Sequence, residues 1–149
     1  MKDRVCELEC NIDDMTAEEL AFAAERLMEE GAKDVTLSSV QMKKGRPATL
    51  LTVMCADEEE EKERFVRLIF KYTSTIGIRE VISERHVLER SEEAFNTVYG
   101  LVRCKRVSGY GVEKSKYEYE DLARIAREQG ISIAEARELV KSVIENSPH

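Results

Sequence analysis

Gln41-Met42-Lys43-Lys44-Gly45-Arg46-Pro47 divides two strand-like runs, residues 34–42 and residues 49–56. In the first run Val35 and Leu37 are in phase; in the second Leu51, Val53 and Cys55 share a face. The divider reads as a hairpin turn, since Gly45 permits a positive φ and Pro47 fixes its own. Lys43, Lys44 and Arg46 crowd this turn. Such a connection can aim amide N–H groups, ammonium groups and a guanidinium at one anion. The same composition also suits a solvated basic tip, and the turn alone leaves both readings open.

Working outward, residues 4–10 alternate, with Cys6, Leu8 and Cys10 on one side and Glu7 and Glu9 on the other. Thr16 followed by Glu19 is a capping box; it opens a helix whose Leu20, Ala23, Ala24, Leu27 and Met28 form one face and which Gly31 stops. A second helix after Asp57 carries Phe65, Leu68, Ile69 and Tyr72, with Glu58, Glu59, Glu60 and Glu61 at its start, where the dipole favours anions. Residues 78–89 read as strand four. The order βαββαβ predicts an α+β, ferredoxin-like sheet. Ser91-Glu92-Glu93 reads as a turn, and residues 95–107 as one added strand paired antiparallel with strand four. Residues 108–111 read as loop, and 114–121 lead into a helix with Leu122, Ile125 and Ala126, stopped by Gly130. Ser132 with Glu135 is a second capping box before a last helix. The expected domains are a core with its extension strand over 1–108 and a C-terminal helical hairpin over 109–149.

The 149 residues are 42% hydrophobic, enough for a real core, and 36% charged. No apolar run approaches the ~20 residues that span a bilayer, and the N-terminus reads as a strand, not a signal peptide. A net charge of −7 argues against general affinity for nucleic-acid backbone, so an anionic ligand needs a local basic site. Cys6, Cys10, Cys55 and Cys104 show no CxxC spacing and read as reduced, buried thiols of a cytoplasmic protein. The closing helix–Gly–helix superficially suggests helix-turn-helix, but Glu135, Arg137, Glu138, Lys141 and Glu145 leave no basic face.

Candidate chemistry falls in three further places. Asn11, Asp13 and Asp14, between a strand end and a helix start, offer hard oxygen donors suited to Mg²⁺ or Mn²⁺ beside a phosphate, or ordinary helix-start carboxylates. Thr73, Ser74 and Thr75 with Arg79 combine hydroxyls and a fork-shaped cation, for an anion or for a helix C-terminus. Tyr117, Glu118, Tyr119 and Asp121 combine rings and carboxylates, for a base or for packing at a helix start. Three placements stay open: Asp13 and Lys44 meet within one subunit, they meet across a subunit interface, or the carboxylates serve another role. No Walker loop, GxGxxG, HExxH or nucleophile–His pair occurs, so no catalytic residue is assigned.

Taken in order, Asn11-Ile12-Asp13-Asp14-Met15-Thr16, Gln41-Met42-Lys43-Lys44-Gly45-Arg46-Pro47, Thr73-Ser74-Thr75-Ile76-Gly77-Ile78-Arg79 and Tyr117-Glu118-Tyr119-Glu120-Asp121-Leu122-Ala123 resemble the C-terminal domain of the LarC-type nickel insertion proteins. The resemblance spans nearly the whole chain. It implies a CTP-dependent nickel chelatase, a lyase-type enzyme. That enzyme installs Ni²⁺, its substrate metal, in pyridinium-3,5-bisthiocarboxylic acid mononucleotide to make the nickel-pincer nucleotide of lactate racemase. CTP, with Mg²⁺ or Mn²⁺, is cleaved to CMP and diphosphate. The resemblance further implies that Lys43, Lys44, Gly45, Arg46, Thr73, Ser74, Thr75 and Arg79 hold the nucleotide, that Asp13 and Asp14 hold its metal, and that Tyr117, Glu118 and Asp121 take the base or the precursor. An N-terminal nickel-binding region of the family, not contained in these residues, is the expected partner. Open strand edges favour a homo-oligomer. A non-enzymatic ferredoxin-like domain binding a small metabolite is the competing reading.

Overall fold

In the computed structural model, residues 1–147 are described, and they form two compact units: residues Lys2–His86, and the residues from Val87 onward together with Met1. The first unit is a four-stranded antiparallel sheet with two helices. Its elements are β1 (Lys2–Ile12), α1 (Ala17–Glu29), β2 (Asp34–Gln41), β3 (Pro47–Ala56), α2 (Glu59–Tyr72) and β4 (Arg79–His86). The sheet order is β2-β3-β1-β4, the ferredoxin-like arrangement.

Alternation decides which face of this sheet is covered. Cys6, Leu8, Cys10 and Ile12 of β1 and Leu51, Val53 and Cys55 of β3 are buried, and they pack with Leu20, Leu27, Phe65 and Ile69 of the helices. Cys6 and Cys55 are directly opposite each other in the β1–β3 register. Thr16 begins α1 as read: its hydroxyl accepts from the Glu19 N–H at 3.2 Å, and the Glu19 carboxylate accepts from the Thr16 N–H at 2.7 Å. The same reciprocal pair, Ser132 and Glu135, opens α4 (Ile133–Glu145) in the second unit. Thr16→Ala should therefore cost about 1 kcal/mol. Hydrogen exchange in urea should show that loss in amides of the Lys2–His86 unit, while the same experiment on Ser132→Ala should report it in the other unit.

The second unit departs from expectation in three ways. Ser91, Glu92 and Glu93 lie within a strand, β5 (Glu89–Thr97), and do not form a turn. Residues 95–107 are not one strand but the two arms of a hairpin, β5 and β6 (Gly100–Gly109), reversed at Val98-Tyr99 with Gly100 at φ 95°. The residues before α3 (Tyr119–Gln129) form a further strand, β7 (Val112–Tyr117). These strands make their own sheet, β5-β6-β7, so the added strand does not extend β4. The expected boundary after residue 108 accordingly gives way to one after His86. The cause is legible in burial: through Ala94 every residue of β5 is exposed, so no apolar alternation marks it as a strand. Tyr110 and Gly111, at φ 50° and 77°, form the left-handed reversal between β6 and β7 that suits a tight hairpin.

The helical hairpin after β7 is present as expected. Leu122, Ile125 and Ala126 of α3 and Ala136 and Val140 of α4 bury against Val102 of β6. Gly130, in the left-handed region at φ 65°, ends α3.

Candidate functional site

Strand direction assembles the site. β1 and β2 are each antiparallel to β3, so they run the same way, and their C-terminal ends lie at one end of the sheet. The register shows it: Ile12 stands opposite Thr49, and Gln41 opposite Pro47. β4 starts at that same end, with Arg79 opposite Glu9. Three connections therefore share one rim of one subunit: the residues after Ile12, the turn before Pro47 and the residues before Arg79. This settles within one chain the placement left open between Asp13 and the basic turn.

Side chains join the three connections. The Arg46 guanidinium lies 3.9 Å from an Asp13 carboxylate oxygen. The Ser74 hydroxyl donates to Asp14, and the Ser74 N–H lies 3.3 Å from the Met15 sulfur. Arg79 donates to the Asn11 side-chain oxygen at 3.1 Å and lies 3.6 Å from the Glu9 carboxylate. Thr73 and Thr75 do more local work. The Thr73 hydroxyl donates to the Ile69 carbonyl at 2.8 Å, closing α2, and the Thr75 hydroxyl donates to the Gly77 carbonyl at 2.9 Å.

The basic turn is a short 3-10 turn, Lys43–Gly45. Gly45 has the positive φ expected of it, 68°, and Lys44 shares it, at φ 61° and ψ 22°. A non-glycine residue held left-handed is uncommon and costs conformational energy. A helical residue followed by a left-handed one makes consecutive N–H groups converge, the concavity that receives anions.

Two hollows flank the rim. One of about 610 Å³ is lined by Asp14, Met15, Phe22, Tyr72 and Ser74 among others. A smaller one, about 290 Å³, lies beside Asp13, Pro47 and Thr49. Phe22, 57% exposed with its ring edge-on to Tyr72 at 6.3 Å, was not singled out in the sequence. Its one visible signal is an aromatic residue off the apolar face of α1.

Two carboxylates cannot hold a metal unaided. Among the described residues no three His, Cys, Asp or Glu side chains gather into a metal-holding group. Asp13 and Asp14 do fit the habit of Mg²⁺, which takes one or two carboxylates and fills its remaining positions with phosphate oxygens and water. The thiols of this unit are poor thiolate ligands: burial, seconded by the neighbouring Cys55, pushes Cys6 up to about 12, and burial likewise raises Cys10 and Cys55.

The fourth motif lies in the second unit, where its residues have structural partners. Tyr117 is half-buried against the Val102–Leu122 cluster. Glu118 accepts an ion pair from Lys105 at 2.6 Å, and its N–H donates to the Arg103 carbonyl at 2.9 Å. Asp121 is buried and accepts from the Arg103 N–H at 2.9 Å and from its guanidinium at 3.0 and 3.1 Å. The three residues thus stitch α3 to β6, with both Asp121 oxygens engaged.

Comparison with known proteins gives these motifs a context. The family model described as "Nickel insertion protein" matches residues 1–137. The pyridinium-3,5-bisthiocarboxylic acid mononucleotide nickel insertion protein of Acetivibrio thermocellus is 42% identical over 142 residues, covering 95% of this chain and 34% of the relative. The protein of the same description from Alkaliphilus metalliredigens is 47% identical over 125 residues, covering 83% and 29%. The chain thus spans about a third of the length of these two relatives. A solved structure described as LarC2, the C-terminal domain of a cyclometallase involved in the synthesis of the NPN cofactor of lactate racemase, superposes with a TM-score of 0.82 at 33% identity, covering 98% of this chain and all of that one. No helix among the described residues is long and apolar enough to cross a membrane. From the family match over residues 1–137 and these relatives, the chain belongs to the nickel insertion protein family.

Proposed function

We propose that this chain is the CTP-binding part of a nickel insertase acting on pyridinium-3,5-bisthiocarboxylic acid mononucleotide, with CTP cleaved to CMP and diphosphate. The observation that supports it most is the meeting of three connections on one rim, which sets Lys43, Lys44 and Arg46 beside Asp13, Asp14 and Ser74. A triphosphate requires such a mixture. The lysines and the turn amides neutralise phosphate oxygens, Arg46 offers a two-pronged donor, and Ser74 and Arg79 close the opposite side. Asp13 and Asp14 would hold Mg²⁺ or Mn²⁺ between themselves and the phosphates; a bound divalent ion would supply charge neutralisation at the leaving diphosphate. The buried thiols offer no ready nickel ligand, since burial disfavours their thiolate forms, and no nickel site is assigned to these residues.

The test is calorimetric titration with CTP and Mn²⁺. Lys44→Ala should weaken binding about tenfold, the size of one lost charge-assisted contact. Because Lys44 is left-handed, Lys44→Gly removes the charge while easing the backbone, and it should weaken binding to the same extent. Unchanged affinity in both variants would remove the basic turn from the site.

A further inference from the structure

The sheet of the second unit has one covered face and one open face. Cross-strand partners share a face. Val102, Cys104 and Tyr117 point to the side packed by α3 and α4. The other side presents two rows across the strands: Arg90, Val107 and Lys114 in one, Glu92, Lys105 and Lys116 in the next. These residues line a hollow of about 580 Å³, within the size range of small-molecule sites.

The charge pattern of this face is unfavourable on its own. Lys105 and Lys116 stand directly opposite each other, and like charges so placed repel. Glu118 compensates Lys105 at 2.6 Å. Arg90, Lys114 and Lys116 form no ion pair with any described residue. Three cations without an ion-pair partner, with the single carboxylate Glu92 beside them, thus gather on one face of a chain whose net charge is −7. Strand spacing sets the outer two, Arg90 and Lys114, roughly 10 Å apart across β6, with Lys116 in the next row roughly 7 Å along. This is the scale of a mononucleotide, with its phosphate at one end and substituted ring at the other.

We propose that this face is a second anion site, for a pyridinium mononucleotide whose phosphate and ring thiocarboxylates pair with Arg90, Lys114 and Lys116. The inference rests on the proposed function for its choice of ligand, since the relatives are named for such a mononucleotide. It places that reactant and CTP on different units of the chain. Val107, half-buried between the cations, offers an apolar floor for the ring.

The experiment titrates two probes separately into three proteins. The probes are nicotinic acid mononucleotide, a pyridinium mononucleotide with one ring carboxylate, and CTP with Mn²⁺. The proteins are the unaltered chain, the double variant Lys114→Glu with Lys116→Glu, and Lys44→Ala. Charge reversal on the exposed side of β7 should weaken the mononucleotide at least about tenfold and leave CTP within about twofold. Lys44→Ala should do the reverse. Circular dichroism verifies folding, and the milder Lys116→Gln, expected to weaken the mononucleotide about threefold, replaces the double variant if that does not fold. Mononucleotide affinity that is absent from the unaltered chain, or indifferent to these substitutions, overturns the second site. Equal loss of CTP on charge reversal also overturns it, because the face would then serve the triphosphate. CTP binding indifferent to Lys44→Ala would instead count against the rim and leave the mononucleotide result to be read alone.

Discussion

Phe65→Ala should cost the Lys2–His86 unit about 3–5 kcal/mol, the usual penalty for emptying a fully buried ring site. Phe65 has no exposed surface and sits between α2 and the covered sheet face, among Leu8, Leu27, Leu51 and Ile69. The Arg64 guanidinium lies over its ring at 4.4 Å, while that arginine also donates to the Glu30 carbonyl at 3.0 Å after α1. Removing the ring takes away apolar burial and the surface on which this arginine rests. Collapse is resisted from the sheet side, where β1 and β3 are held in register over eight paired positions, so most of the cavity should persist. Phe65→Leu, which keeps much of the volume, should cost under about 1.5 kcal/mol. Since the chain has two units, a single melting curve is not a sufficient readout. Urea-dependent hydrogen exchange should show the loss in β1, β3 and α2 amides. An equal loss in α3 and α4 would mean that the units unfold together, and stability unchanged in either would contradict the packing described.

Asp121→Ala should destabilise the second unit by about 2–3 kcal/mol. α3 follows β7 directly, and its first turn replaces β7 along the edge of β6. The Glu118 N–H bonds the Arg103 carbonyl, and the Asp121 carboxylate takes the Arg103 N–H. Alanine would leave that backbone N–H without its acceptor and α3 without its ionic tie. The cost stays below that of a fully buried pair, because the Arg103 side chain is 45% exposed and can turn to water. A pH signature accompanies it. Hydrogen bonds from the Arg103 guanidinium, opposed in part by burial, hold Asp121 below the ordinary carboxylate range in the folded protein. A carboxyl group with a depressed folded value stabilises above its unfolded value, about 3.9, and loses that contribution as pH falls through the folded value. The unaltered second unit should therefore weaken below about pH 4. Asp121→Asn should be less stable at pH 7 and show a flatter response to acid. Chemical denaturation at pH 7, 5, 4 and 3 checks the sign, and parallel curves for both proteins would exclude the ionic role.

Local reading succeeded where burial is one-sided. Thr16 and Ser132 begin their helices as read, and Cys6, Leu8, Cys10, Leu51, Val53 and Cys55 face the core at period two. It failed on β5 and β7, whose outward and edge positions are charged or polar on both sides, so a strand there looks like a turn or a helix approach. Asp121 shows a related ambiguity. A carboxylate near a helix start has the same sequence signature whether it awaits a ligand or takes the N–H of a strand edge.

Periodicity and capping, which act over a few residues, were enough in the sequence to specify the α+β class and the four buried thiols. Resemblance carried by the motifs, not their spacing, pointed to the family. The tertiary structure alone decided that Asp13, Asp14, the Lys43–Gly45 turn and Ser74 share a rim, because this depends on β1 and β2 flanking β3 in the same direction. It alone decided that β5, β6 and β7 form a separate sheet. Both outcomes depend on pairing between residues distant in the chain, which no local pattern encodes.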